Sequence, residues 1–479
     1  MIGQEYNLFN FSTAKILVVG DIVLDTYWFG STNRTSPEAP VPIAHYHKSE
    51  DRLAGAGDIA AVLANLGAKT KLISALSSLS SDARLRDLLN TAQLPVTPDY
   101  IVPTTLSQTQ QRIRIVSQTQ QLLRIDNAAK LNNSSKLQDT ELSALNKNFL
   151  NNYKEHDTVL FYDEGQGVVE HQYLHSWLKL AQNSHIKTLY VPANQTALNN
   201  FINNNLQADY IITQKKFDIA ESKLLLAVRS GLVTYQENGL SVYNFYSNNN
   251  FIINKLSCEV ENVIGTIEML AALFTLGLST TNDIKSASEI ANAGVSFAKR
   301  QFGQYLINIV ELQLAYADYL LNSKYNFINL KREIDTIRAK NKTIIFANGC
   351  FDILHVGHLA YLDLAKQRGD KLFVAINSDC SIKRLKGSER PINNLSDRID
   401  LLKALSCQDW VVPFFTDTPE DFLRWLQPDI LVKGGDYTPE QIVGHEIVHS
   451  YGGKTEIIDH PYNMISSTKI LAKADVNYV

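Results

Sequence analysis

The chain has 479 residues, 45% of them hydrophobic and 20% charged, with a formal net charge of −4. That length exceeds one ordinary core and points to two or three soluble globular domains, and the slightly acidic balance excludes a generic basic-patch nucleic-acid binder. The four cysteines, Cys258, Cys350, Cys380 and Cys407, are scattered without a CxxC pair, which argues against a disulfide framework or zinc knuckle and for a reducing compartment. The opening MIGQEYNLFNFSTAK lacks a basic region followed by a long apolar run, and no stretch reaches the roughly 18 uncharged apolar residues of a membrane span. A cytoplasmic protein without nucleic-acid or membrane partners is expected.

In chain order, KILVVGD predicts a buried strand from Ile16 to Val19 that ends at Gly20 and Asp21. DIAAVLANLGAKTKLISAL predicts a helix, a stop at Gly67 and a strand. Further strands are expected at DTVLFYD, IKTLYVP, ADYIITQ and SGLVTY, with helical patterns between several of them. Such alternation argues for a largely parallel sheet covered by helices, an α/β fold. IEMLAALFTLGLS and DIKSASEIANAGVSFAKRQFG predict two packed helices that close this domain, over residues 1–325. The polar stretch 326–340 is the expected linker, helical in its second half. The alternation then restarts over 341–479: strands at 343–348, 371–377, 409–413 and 429–433, and helices at 358–368, 395–405 and 418–425. That length suits one compact domain.

The junction NGCFDILHVGHLAYL carries His355 and His358 where a strand gives way to a helix. A helix starting near His358 presents free N–H groups and the positive end of its dipole, which favours an anion. Two imidazoles there can donate to phosphate oxygens, and Gly349 and Gly357 are expected to let the backbone turn tightly. An isolated HxGH is as readily a pair of ordinary histidines. Zinc is disfavoured, because the spacing is not HExxH and no third ligand lies near in sequence. Three later segments raise the odds. NSDCSIKRLKGSERP places Lys383, Arg384, Lys386 and Arg390 in an expected loop after a strand. DILVKGGDY places Lys433, Gly434, Gly435 and Asp436 at the carboxyl end of another strand, where open α/β sheets bind ligands. MISSTKIL offers Ser466, Ser467 and Thr468 at the start of a last helix.

NGCFDILHVGHLAYL, AINSDCSIKRLKG, RPINNLSDR and LVKGGDYTPEQIVG, in this order, resemble the HxGH nucleotidyltransferase superfamily. The closer resemblance is to heptose 1-phosphate adenylyltransferase, the C-terminal domain of the bifunctional heptose kinase/adenylyltransferases of lipopolysaccharide synthesis. It covers nearly all of residues 341–470 and implies a Rossmann-like domain. It also implies attack of a sugar anomeric phosphate on the α-phosphorus of ATP, with Mg²⁺ and no covalent nucleophile. His355 and His358 are then expected on the ATP phosphates, and Lys386, Arg390 and Lys433 on pyrophosphate or sugar-phosphate charge. Ser466, Ser467 and Thr468 would hold the β- and γ-phosphates. Asp352 and Asp436 are candidates for contacts to metal, ribose or sugar. Asn348, Gly349, Phe351, Gly357 and Gly435 would line the nucleotide, Phe351 chiefly by packing. No residue is assigned as a protein metal ligand.

VVGDIVLDTYWFGSTNRTSPEAPVPI, QQRIRIVSQTQQLLRID and VENVIGTIEMLAALFTLG resemble the ribokinase-like heptose 7-phosphate kinase, the other half of those bifunctional proteins, over residues 15 to about 310. That family uses a D-T-x-G-A-G-D loop, whose last aspartate is the base and whose backbone forms an anion hole. Here Asn262 replaces the first aspartate, Gly265 survives, Ile267 replaces the next glycine, and Glu268 stands at the base position. Ile267 is expected to obstruct the backbone conformation and its approach to phosphate. A G-G-A-A-N pattern appears as AGAGD, with Ala54 and Asp58 substituted; D-P-K reads VPA at 191–193, and T-P-N reads TQK at 213–215. These departures predict a kinase fold without kinase activity, retained as a scaffold, with a homodimer expected. The alternatives are a true bifunctional enzyme using Glu268 as base, and a non-catalytic module that binds a sugar phosphate or dimerises.

Overall fold

A computed structural model describes residues 8–77, 83–97, 99–104, 109–118, 120–126, 137–169, 171–215, 221–256, 263–435, 438–459, 461–462 and 470. The chain divides into two compact units, Phe11–Asn308 and, together, Met1–Asn10 with Ile309–Val479. The boundary falls upstream of the expected linker. Leu330–Arg338 is helical, as expected for the second half of that stretch, but it belongs to the C-terminal unit.

The first unit holds strands β1 (Lys15–Gly20), β2 (Ile22–Thr35), β3 (Pro42–Gly55), β4 (Lys69–Ser77), β5 (Ile101–Thr104), β6 (Gln111–Ser117), β7 (Gln120–Asp126), β8 (Thr158–Asp163), β9 (Lys187–Pro192), β10 (Ala208–Gln214), β11 (Val228–Gln236), β12 (Gly239–Asn244) and β13 (Asn249–Asn254). Nine of them form one sheet in the order β13-β12-β11-β10-β9-β8-β1-β4-β5. The pairs from β11 through to β5 are parallel, and β12 and β13 add an antiparallel edge. β1 is buried from Ile16 to Gly20, because helices cover both faces of a parallel sheet. β3, β2, β6 and β7 form a separate four-stranded sheet. The expected closing helices are Thr266–Thr281 and Ile284–Ala298.

The second unit holds β14 (Ile344–Gly349), β15 (Lys371–Asn377), β16 (Trp410–Phe414), β17 (Ile430–Gly434) and β18 (Lys454–Ile458), all parallel, in the order β16-β15-β14-β17-β18. The chain winds outward from the central β14 to both sides, so the carboxyl ends of β14, β15 and β17 open a crevice at the switch of direction. Among the described residues no helix is long and apolar enough to cross a membrane.

Candidate functional site

In the second unit, Val356–Lys366 forms a helix with His355 at its N-cap, in extended backbone. The His355 carbonyl accepts the His358 N–H at 2.9 Å, and the two imidazoles stack with centroids 3.8 Å apart. The glycine between them serves space and not a turn. Neither Gly357 nor Gly349 has a positive φ; the left-handed residue of this loop is Phe351, at φ 46°. A Cβ on Gly357 would lie 3.1 Å from His355 Nδ1 and 3.2 Å from the Tyr462 carbonyl oxygen. Phe351 is buried and packs on His358, with centroids 5.2 Å apart, and its ring closes over Gly349. The expectation of tight glycine turns here is therefore corrected: it is close packing against the Phe351 and His355 rings, not φ, that favours glycine at both positions.

Lys433 lies at the end of β17, and its Nζ donates to the Asn348 carbonyl at 3.1 Å. Burial pushes its ammonium below the usual lysine range, and the Lys386 charge adds to that effect. A bound anion would reverse the penalty. Lys386 is exposed, and it ends a helix, Asp379–Lys386, that starts on the Ser378 N-cap. The segment expected as a loop is thus helical, because Ser378 caps it and Ile382 buries its inner face. Gly435 follows β17 at φ 111°.

Asp352 and Arg390 meet each other. Arg390 Nε donates to Asp352 Oδ2 at 2.5 Å, and Asp352 Oδ1 accepts the N–H groups of Ile392 and Asn393 at 2.8 and 3.1 Å. Both Asp352 oxygens are engaged inside the protein, where they anchor the 390–393 loop. Arg390 lends part of its charge to the same task. Asp436, Ser466, Ser467 and Thr468, and Asn262 of the first unit, lie outside the described residues.

Arg398 was missed from sequence. It is fully buried, and it donates to the carbonyls of Cys350 (2.7 Å), Asn377 (2.8 Å) and Asn393 (3.0 Å) and to Asp379 Oδ1 (2.6 Å). It thereby ties the ends of β14 and β15 to the Asp352-anchored loop. The available signal is its place on the apolar stripe Leu395, Ile399, Leu402.

In the first unit a cavity of about 940 Å³ is lined by Arg112, Arg114, Glu164, Gly265, Ile267 and Glu268, among others. Gly265 is left-handed, φ 73°, and starts the Thr266–Thr281 helix. Ile267 is in the first helical turn without a positive φ. The obstruction to backbone conformation expected of it is not met, since the one left-handed position of this loop within the described residues is the surviving glycine. Ile267 is buried and is among the residues that line the cavity. Glu268 is buried and accepts the Tyr162 hydroxyl at 2.8 Å. That hydroxyl also lies 3.0 Å from Glu164, which pairs with Arg112; Arg114 holds Asp25 at 2.9 Å. Burial and the Glu164 charge push the Tyr162 phenol well above its usual range. Among the described residues, no group of three His, Cys, Asp or Glu side chains is placed to hold a metal ion.

Residues 346–473 match the family described as cytidylyltransferase-like. The chain is similar along nearly its whole length to proteins named bifunctional protein HldE. It is 33% identical over 460 residues to that of Syntrophotalea carbinolica, covering 93% of this chain and 92% of the relative. It is 33% identical over 481 residues to that of Pasteurella multocida, covering 97% of each. Among solved structures, the Microbiome-derived Acarbose Kinase Mak1 aligns at a TM-score of 0.51 and 15% identity, over 64% of this chain and 99% of that one. Phosphofructokinase-2 from Escherichia coli aligns at 0.50 and 15%, over 64% and 100%. At such identity these two speak of fold alone, and that fold is ribokinase-like, followed here by a Rossmann-like nucleotidyltransferase domain. With a third of its residues shared across nearly the full length of these relatives, the chain belongs to the family of the bifunctional HldE proteins.

Proposed function

We propose that the C-terminal unit makes ADP-heptose from ATP and D-glycero-β-D-manno-heptose 1-phosphate. The observation that carries this reading is the stacked His355–His358 pair at a helix start, together with the half-buried Lys433 at the carboxyl end of β17, the strand beside β14. The anomeric phosphate attacks the α-phosphorus and pyrophosphate leaves. Charge grows on the phosphoryl oxygens, where the two imidazoles and the free N–H groups of the helix start donate. Lys433 and Lys386 take the charge of the departing pyrophosphate or of the sugar phosphate. Mg²⁺ entering with the nucleotide would neutralise phosphate charge; the nitrogen donors present suit phosphates better than the ion. Ser466, Ser467 and Thr468 complete the phosphate cradle in this reading, and Asp436 a ribose or sugar contact. His355→Ala and His358→Ala should each slow adenylyl transfer at least ~10-fold while the protein stays folded. Near-normal turnover in both variants would overturn the assignment.

For the N-terminal unit we favour the bifunctional reading, a heptose 7-phosphate kinase with Glu268 as base. Similarity to bifunctional relatives over the whole chain supports it above the loss of activity expected from the motif departures. So does the helix start at Gly265, which keeps the left-handed turn an anion hole needs. A second reading, binding without phosphoryl transfer, is favoured by Ile267 in the cavity lining where the family has glycine and by the changed residues at 54, 58, 191–193 and 213–215. Formation of heptose 1,7-bisphosphate by the purified chain, abolished by Glu268→Gln, supports the first; no product from the unmodified protein supports the second.

A further inference from the structure

We propose that Tyr162 is a positioning residue of the N-terminal site, whose hydroxyl aims the Glu268 carboxylate at the acceptor hydroxyl of the sugar phosphate. This rests on the reading of that site as a kinase with Glu268 as base. Tyr162 lies near the carboxyl end of β8, and Glu268 in the first turn of the Thr266–Thr281 helix. Both are buried, and both line the cavity. The Tyr162 hydroxyl donates to Glu268 Oε1 at 2.8 Å, and among the described residues it is the one hydrogen-bond donor on that carboxylate.

The phenol is a rigid point. Its backbone sits in a strand paired on both sides, with β1 and β9. Two glycines leave room for its side chain. A Cβ on Gly20 would lie 3.0 Å from Tyr162 Cβ, and one on the left-handed Gly55, φ 64°, would lie 3.2 Å from Tyr162 Cε1. A catalytic group held by such a fixed neighbour needs no ordering at the moment of reaction. Glu268 needs that hold more than the family's aspartate does, because its extra methylene adds a rotatable bond whose freedom must be lost.

With Oε1 on Tyr162, Oε2 is the oxygen left for the acceptor. In the transfer the anomeric hydroxyl oxygen bonds to the γ-phosphorus of ATP. The bond from that phosphorus to the β,γ-bridging oxygen breaks, and ADP leaves with the electron pair. The hydroxyl proton passes to Glu268 Oε2. The Tyr162 proton stays on the phenol, which burial and the Glu164 charge hold well above its usual range. The same hydroxyl lies 3.0 Å from Glu164 Oε2, on a carboxylate paired with Arg112. One O–H serves one carboxylate at a time. When Glu268 takes the proton and becomes the poorer acceptor, the O–H turns to Glu164 without movement of the ring.

The test is steady-state formation of heptose 1,7-bisphosphate by the full chain, with ATP, Mg²⁺ and heptose 7-phosphate. Tyr162→Phe keeps the ring and removes the hydroxyl. It should lower kcat at least ~10-fold, the worth of a hydrogen bond to a charged group. Both KM values should stay within ~2-fold, since neither substrate loses a contact. An unchanged kcat, or a loss carried by KM alone, overturns the proposal. Glu268→Asp keeps a carboxylate base but withdraws it by one methylene from the hydroxyl, so it should also lower kcat; an equal or faster rate overturns the proposal even if the Phe variant does not fold. In the Glu268→Asp background Tyr162→Phe should cost less than ~3-fold, because the bond it removes is already weakened. Losses that simply multiply would mean that Tyr162 acts independently of Glu268, and the positioning role fails. No bisphosphate from the unmodified chain ends the kinase reading itself, and the positioning role with it; product from the unmodified chain at a rate that Tyr162→Phe leaves unchanged ends this proposal alone.

Discussion

Gly357 carries a residue-level constraint that bears directly on the histidine pair. With a Cβ 3.1 Å from the His355 ring, Gly357→Ala should push that imidazole aside by a few tenths of an ångström, which should slow transfer by roughly 10-fold. Adenylyl-transfer kinetics should show that loss with an unchanged circular-dichroism spectrum; a normal rate would mean the ring position is unimportant. Arg398 acts by positioning. Arg398→Lys keeps a charge but not the planar fork that reaches three carbonyls and Asp379, so it should destabilise the unit by about 3 kcal/mol and slow transfer with it. Equal thermal unfolding of variant and parent would refute this. In the first unit, burial and the Asp163 charge push the Asp21 carboxyl up to about 7, although it accepts three backbone N–H groups. The raised value means the folded state holds a proton that the unfolded chain has released. Stability from this group is therefore fully present below pH 3.8 and drains away up to about pH 7. Hydrogen-exchange protection of β1 and β8 should accordingly weaken from pH 5 to pH 7, by on the order of 1 kcal/mol per pH unit. Protection that rises over that range would count against a protonated Asp21.

At the scale of elements, the helix start at Thr266 separates two arguments that the motif alone had merged. Ile267 differs from the family's glycine in bulk, while its backbone is ordinary helix. Ile267→Gly and Ile267→Ala should therefore change bisphosphate formation alike, apart from about 1 kcal/mol of helix stability lost with glycine. An effect confined to the glycine variant would restore the backbone argument. Strand β6 shows the opposite failure of pattern reading. QRIRIVS alternates, and the natural expectation sends its isoleucines inward. The structure buries Arg112, Arg114 and Val116 instead, because this face meets the carboxylates Glu164 and Asp25. Burying an arginine is affordable only where such a partner waits, and partners lie far away in sequence.

On the scale of the whole molecule, the C-terminal unit is larger than its βα pattern. Gln313, fully buried in the Ile309–Leu320 helix, accepts the Phe415 N–H at 2.8 Å, and Asp318 accepts those of Phe327 and Ile328 at 2.9 Å each. Phe9 packs on Tyr316 and Phe415, with centroids 5.5 and 5.3 Å away. A fragment beginning at Lys331 would strip this cluster and should be insoluble or unfold well below a fragment beginning at Ile309. Phe9→Ala in the full chain should cost about 3 kcal/mol in this unit, read from its unfolding transition. Equal stability of the two fragments would show that the cluster is dispensable.

Much of the molecule was determined by its sequence alone. The four strands and three helices expected in the C-terminal unit fall within two or three residues of their places, because apolar runs and caps are local signals, whereas the Asp379–Lys386 and His445–Ser450 helices and β18 were not read. The histidine pair and Lys433 were legible for the same reason: each sits where a strand ends, and strand ends can be read. Tertiary structure decided what those signals omit. It spent Asp352 on a loop, recruited Arg398 from a helix face, set Tyr162 against Glu268, and drew residues 8–10 and 309–320 into the C-terminal unit. Each of these is a pairing across tens to hundreds of residues. Desolvation makes a buried polar group seek its partner wherever the fold brings one, and no local pattern records where that is.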